Sequence, residues 1–155
     1  MHGGPFHVMK RLLFLVLLAL PIVAADKPAD VVRYRQSVMK AMGAHMTATS
    51  LVVKRQIGDR SQLAAHAASI RDLSAGLAAF FPADSSPDKV KTGAKAELWQ
   101  KLPEFRAAAD SLRVEAGKLA EAAKKGDGKA FDAQFARVGA ACNACHDRFR
   151  VKDSD

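Results

Sequence analysis

The chain of 155 residues is poor in cysteine and in aromatics: two cysteines, one tryptophan, one tyrosine, and an aromatic share of 6%. Two cysteines supply no disulfide framework to organise a fold. Sparse aromatics that do not interleave with basic residues exclude the stacking surfaces that nucleic acids use, so no nucleic-acid partner is expected. Nothing reads as a strand. Paired carboxylates and an activated nucleophile are also missing, so no enzyme is expected. The apolar run from Leu12 to Leu20 is shorter than the roughly 20 residues that span a bilayer, and no stable membrane anchor is expected.

That run has its own setting. Met9-Lys10-Arg11 is a basic lead-in, Leu12 to Leu20 an apolar centre, and Pro21 to Ala25 a tail ending in small residues, which together make a cleavable signal peptide over 1–25. The expected location is the periplasm. Cleavage after Ala25 leaves one domain, 26–155, of about 130 residues, enough for a real core. The formal net charge is +8, and loss of Lys10 and Arg11 lowers it by two to +6. A positive protein is steered toward acidic partners.

The two cysteines stand three apart in Cys142-Asn143-Ala144-Cys145-His146. Each thiol can add to one haem vinyl group, and the imidazole after the second can bind iron from the proximal side, as at c-type haem sites. On a helix, positions 142, 145 and 146 fall within about one turn, so both sulfurs and the ring reach one porphyrin edge. A redox dithiol would call for a βαβ setting. Zinc would call for a second C-x-x-C or an H-x-x-x-H. Neither is present. One covalently attached haem c is therefore the expected cofactor, with Cys142 and Cys145 as anchors and His146 as proximal ligand.

Four helical stretches separated by breakers account for nearly all of the domain. The first opens near Pro28 and runs to about Arg55, with Val31, Tyr34, Val38, Met42, His45/Met46, Thr49 and Val53 as its apolar stripe. Asp59 or Ser61 is a candidate cap for a second helix reaching about Phe80, whose inner side is Leu63, Ala67, Ile70, Leu73/Ser74 and Leu77. Pro82 to Gly93 reads as loop, the longest connection in the domain. A third helix opens between Ala94 and Pro103 and stops at Lys124-Lys125-Gly126; its stripe is Trp99, Leu102, Phe105, Ala109, Leu112, Ala116 and Leu119. Asp127 can cap the fourth, which carries Phe131, Phe135, Val138/Gly139, Cys142, Cys145/His146 and Phe149 at helical spacing. The pattern predicts an all-α four-helix bundle with the C-x-x-C-H motif on the buried face of the last helix.

Tyr34-Arg35-Gln36-Ser37 in the first helix, Glu97-Leu98-Trp99 before the third, and Cys-x-x-Cys-His-Asp-x-Phe-Arg from Cys142 to Arg150 resemble the class II cytochromes c, the cytochrome c′ and c-556 family. The likeness covers most of the mature chain, and haem attachment close to the chain end separates this class from the ordinary small cytochromes c. The resemblance implies a left-handed antiparallel bundle, His146 as proximal ligand, and the first helix over the distal face. It also implies Arg35 near a haem propionate, Arg150 beside the proximal imidazole, and the residue four after Arg35 over the distal iron. That residue is Met39. Five-coordinate members hold leucine, phenylalanine or another non-ligating residue there, so the methionine departs from the cytochrome c′ pattern and matches the six-coordinate c-556 type. The family often forms homodimers through its first helices.

A thioether opposite imidazole favours low-spin iron, raises the reduction potential and blocks exogenous ligands. The expected function is one-electron carriage between redox partner proteins, an acidic partner among them, with Met39 as candidate distal ligand. The alternative is a five-coordinate cytochrome c′ that binds nitric oxide or carbon monoxide, in which Met39 only crowds the iron. A structural or metal-handling bundle is a third reading. Met42 and Met46 are expected as core fillers, His45 as a rival ligand displaced from the Arg35 and Met39 line, and His66 as a surface or satisfied histidine. Trp99 is expected to pack structurally, and Lys124, Lys125, Lys129 and Arg137 to form a solvated face.

Overall fold

The computed structural model describes residues 1–2 and 26–152. Beyond its first two residues, segment 1–25, expected as a signal peptide, lies outside the described residues. The helices are α1 (Pro28–Val53), α2 (Leu63–Ser74), a single-turn α3 (Glu97–Gln100), α4 (Leu102–Lys125) and α5 (Gly128–Phe149), with 3-10 turns at Leu77–Phe80 and Ala83–Ser85. The described residues contain no strand, only an isolated antiparallel bridge between Ala94 and Arg150. The four long helices form the expected bundle: α1 packs on α2, α2 on α4, and α4 on α5. The backbones of α1 and α5 have little direct contact. No helix among the described residues is long and apolar enough to cross a membrane.

Local chemistry sets the boundaries. Pro28 opens α1 where an amide donor is not needed. At the far end of α4, Lys124 and Lys125 sit by the exposed carbonyls and Gly126 takes the left-handed conformation at φ 71° that stops the helix. One residue later the Asp127 carboxylate accepts from Ala130 N at 2.9 Å, capping α5 as its sequence position predicts.

Two features of the second helix differ from expectation. The second helix stops at Ser74, not Phe80, because Gly76 turns left-handed at φ 68° and the chain tightens into 3-10 turns. Neither Asp59 nor Ser61 caps it; Asp59 accepts from Ser61 N at 2.8 Å and closes the preceding turn. The third helix opens inside its expected window, α4 at Leu102 with Pro103 in its first turn, after the single turn of α3 that ends at Lys101, φ −124°.

The main core draws Met42 and Val52 from α1, Leu63, Ala67 and Ile70 from α2, Leu112, Ala116 and Leu119 from α4, and Phe131 and Val138 from α5. Burying a side chain the size of Leu or Val contributes about 1.5–3 kcal/mol, and alanines at 67 and 116, both fully buried, let the helices approach closely. A second cluster of Leu98, Phe105 and Phe149 closes the end at which α5 terminates. Its rings meet edge to face, Phe105 with Phe149 at 5.6 Å and with Phe81 at 4.8 Å. The first turns of α1 depart from the expected stripe: Val32 and Arg35 are buried, whereas Tyr34 is 57% exposed and sets its ring edge-on to Phe80.

Candidate haem site

Cys142 and Cys145 are free thiols, half-buried, one turn apart on α5. Burial raises the pKa of both, that of Cys145 to about 11 with Cys142 adding to the rise. A redox dithiol needs the opposite shift, toward thiolate, so that reading loses its chemistry here. The two sulfurs also face different surroundings: Cys142 packs on the main core, Cys145 on the end cluster with Trp99 and Phe81.

His146, next in sequence, is exposed and not on the buried face where the helical pattern put it. Partial desolvation, then the charge of Arg150, lowers its pKa, with Asp147 opposing. The neutral form with a free lone pair is the one that binds iron. Arg150 is one helical turn on and its amide donates to the His146 carbonyl at 3.0 Å.

Across the bundle, Met39 is half-buried on α1 and packs against the same core cluster as Cys142, along with Met46 and Phe135. Its thioether is therefore not on the outside of the bundle. Arg35, one turn before it, is 3% exposed. Its Nη1 donates to Ser85 Oγ at 2.6 Å and to the Phe80 carbonyl at 3.3 Å; its Nη2 donates to the Ser85 carbonyl at 3.0 Å and to Thr92 Oγ1 at 2.7 Å. The guanidinium also lies over Phe81 at 4.6 Å and Trp99 at 5.6 Å. Desolvation lowers its pKa. None of these partners is a carboxylate, so a buried cation is held by dipoles and rings without a counter-charge from the described residues.

The same loop holds the end of α5. Lys95 N donates to the Phe149 carbonyl at 2.8 Å and Val151 N to the Gly93 carbonyl at 2.8 Å, while Lys95 Nζ reaches the Asp147 carbonyl at 3.1 Å. Arg148 pairs with Glu97 at 3.6 Å and with Glu104. Segment 80–95 is thus a strap between Arg35 on α1 and the last turn of the C-x-x-C-H helix. Ser85 and Thr92 escaped the sequence reading, since a hydroxyl in a loop carries no periodicity; the pairing of polar loop residues with an arginine on an apolar helix face was the only available signal.

The remaining residues fall as follows. Trp99 has a structural use, donating its indole N–H to the Pro82 carbonyl at 3.0 Å and packing on Phe81. His66, expected as a surface or satisfied histidine, is hydrogen-bonded to His45. Lys124, Lys125, Lys129 and Arg137 are exposed. An open cleft of about 460 Å³ at the opposite end of the bundle, lined by Arg55, Arg60, Gly128, Lys129 and Asp132, contains none of the C-x-x-C-H residues.

The donor set fits a haem of the c type. Two neutral thiols one turn apart, an imidazole biased toward its neutral form, a soft sulfur on α1 packed against the same core cluster as Cys142, and a buried cation lacking an anion among the described residues are what that group would engage. These features define a four-helix-bundle haem c protein.

Comparison with known proteins agrees. The model of the family described as Cytochrome C′ matches residues 30–150. A cytochrome c′ of Rhodospirillum rubrum is 34% identical over 147 residues, covering 92% of this chain and 99% of the relative. A cytochrome c-556 of Agrobacterium tumefaciens is 29% identical, covering 80% and 99%. Among solved structures, the nitric oxide complex of a mutant cytochrome c prime from Alcaligenes xylosoxidans superposes with a TM-score of 0.75 at 34% identity, covering 84% of this chain and 100% of that one. The chain belongs to the cytochrome c′ family, class II cytochromes c that hold one covalently bound haem c.

Proposed function

We propose that this chain is a periplasmic monohaem cytochrome that binds nitric oxide or carbon monoxide, with Met39 covering the distal side without ligating. The observation that carries this reading is the likeness to cytochromes c′ along nearly their whole length, one of them solved as a nitric oxide complex. Packing agrees: Met39 lies against the apolar cluster together with Met46, both as partly buried hydrophobics. A bound haem c would supply one iron for single-electron exchange and for gas binding. The protein does the rest. Cys142 and Cys145 would hold the group on α5, and His146 would offer an imidazole that partial burial first, and the Arg150 charge second, bias toward its neutral form. Arg35, buried without a carboxylate, is the natural partner of a haem propionate, and the strap it holds shields one end from water. Acidic redox proteins and a homodimer through α1 are the partners this reading takes.

A second reading, a His/Met-ligated one-electron carrier, is favoured by the thioether of Met39 sharing a core cluster with Cys142. A neutral soft sulfur there would favour the ferrous state and close the iron to gases. The reduced holoprotein separates the two. A high-spin ferrous spectrum with ready carbon monoxide uptake supports the gas-binding reading. Low-spin spectra in both oxidation states with poor uptake overturn it in favour of the carrier.

A further inference from the structure

The end of the bundle away from the C-x-x-C-H turn carries two adjoining open clefts. The first, about 460 Å³, is lined by Arg55, Arg60, Gly128, Lys129 and Asp132. Three cations there face one carboxylate, an excess of two positive charges. Arg60 Nη2 donates to Asp132 Oδ1 at 2.7 Å, whereas Arg55 Nη2 stands 3.8 Å from Asp132 Oδ2, too far for a hydrogen bond. Lys129 forms no ion pair among the described residues. Two cations of the cleft are thus uncommitted.

Arg55 is also the one non-glycine residue among those described with a positive φ, 62°. Its amide donates to the Val52 carbonyl at 3.0 Å and the Gln56 amide to the Leu51 carbonyl at 2.9 Å, the paired bonds of a helix stop that usually holds glycine. An arginine there costs stability that glycine would not. Such an outlier points to a use for the side chain, and this one lines the cationic cleft with 78% of its surface exposed.

The second cleft, about 340 Å³, shares Arg60 and Gly128 with the first and adds the apolar side chains of Leu63, Ala64, Ala122, Ala123 and Phe131. Its other polar side chains are engaged: Ser61 Oγ donates to Asp59 at 3.0 Å, and Asp127 accepts from Ala130 N at 2.9 Å. A cationic compartment and an apolar one therefore meet at a common wall.

We infer that the paired clefts bind a small organic phosphate monoester, its dianionic head among Arg55, Arg60 and Lys129 and its apolar body against Leu63, Ala64 and Ala123. Guanidinium forks match the oxygens of a phosphoryl group, and a dianion balances the two excess charges. An inorganic anion leaves the apolar compartment unfilled; a neutral apolar molecule leaves the cations uncommitted. Binding is non-covalent and makes no use of the iron.

The test is calorimetric titration of the ferric holoprotein with phenyl phosphate, inorganic phosphate and benzyl alcohol at fixed ionic strength and about pH 8, where the monoester is a dianion. Phenyl phosphate should bind as one saturable equivalent, at least about tenfold more tightly than inorganic phosphate, the factor that burial of roughly 60 Å² of apolar ligand surface supplies. Benzyl alcohol should give no measurable heat of binding. Arg55→Gly should raise Tm by relieving the strained backbone, yet bind phenyl phosphate at least about fivefold more weakly. Lys129→Gln, with the parent's circular dichroism and haem spectrum, should weaken binding to a similar degree; should Arg55→Gly fail to fold, Lys129→Gln decides. Equal affinity for phenyl and inorganic phosphate, no saturable binding of phenyl phosphate, or parent-like affinity in the folded variants overturns the proposal.

Discussion

Arg35 Nη1 donates to Ser85 Oγ across 2.6 Å, linking residues 50 positions apart in a buried contact. That bond joins α1 to the strap which in turn pairs with the last turn of α5. The helix bearing Met39 and the helix bearing His146 thereby share one support, although their backbones scarcely meet.

Removing that support should be costly. Arg35→Leu deletes four hydrogen bonds from a buried cation, and the expected loss is about 2–4 kcal/mol, read from chemical denaturation of the holoprotein. Arg35→Lys should recover only part of it, because an ammonium cannot reproduce the planar fork that reaches Ser85 and Thr92 together. Equal stability of the lysine variant and the parent would show that the fork geometry contributes nothing.

Met39→Ala separates the two functional readings from a second direction. If Met39 only fills space, the variant keeps the parent's spin state and binds carbon monoxide faster through the vacated volume. If the thioether ligates, the variant changes from low-spin to high-spin and gains ligand affinity. Optical spectra of both proteins, oxidised and reduced, are the measurement.

Thr49 predicts a stabilising change. Its side chain is fully buried on α1 and its hydroxyl has no hydrogen-bond partner among the described residues. Thr49→Val keeps the shape and removes an unsatisfied oxygen, so the variant should gain about 1 kcal/mol in thermal or urea unfolding. A loss of that size would mean that the hydroxyl is satisfied in solution.

The turn between α4 and α5 supplies a paired prediction. Asp127→Ala removes the bond to Ala130 N and should cost about 1 kcal/mol. Gly126→Ala meets no steric obstacle, since nothing lies within 4 Å of the added carbon, yet φ of 71° places an L-residue in the left-handed region. Its expected cost is about 1 kcal/mol from backbone strain alone.

Acid should loosen the end of α5 before the rest. Glu97 is held below the usual glutamate range first by its hydrogen bond from Lys101, with the Lys101 and Arg148 charges adding to it. A depressed folded pKa means that the contribution is complete above the unfolded glutamate value and disappears as pH falls through the folded one. Circular dichroism in an acid titration should show a shallower transition in that window for Glu97→Gln than for the parent.

Much of this architecture follows from short-range chemistry. The C-x-x-C-H spacing, the Pro28 start, the Gly126 stop and the Asp127 cap depend on residues within a turn of one another, so the chain alone specified them. The buried stripes of α2, α4 and α5 followed for the same reason: helical period ties each apolar position to its neighbours three and four away. His146 escaped that logic: helical period sets it only about 40° round the helix from Cys142, and it is exposed nonetheless.

What the fold alone decided involves partners far apart in sequence. Periodicity ranks an arginine on a helix as a surface residue, so it could not foresee Arg35 buried against Ser85, Thr92 and Phe81 while Tyr34 turned outward. It could not foresee His45 meeting His66 either, since their contact depends on how α1 and α2 are rotated about their axes. Local pattern fixes which face of a helix is apolar; only the packing of helices on one another determines which polar groups near that face are brought to within bonding distance.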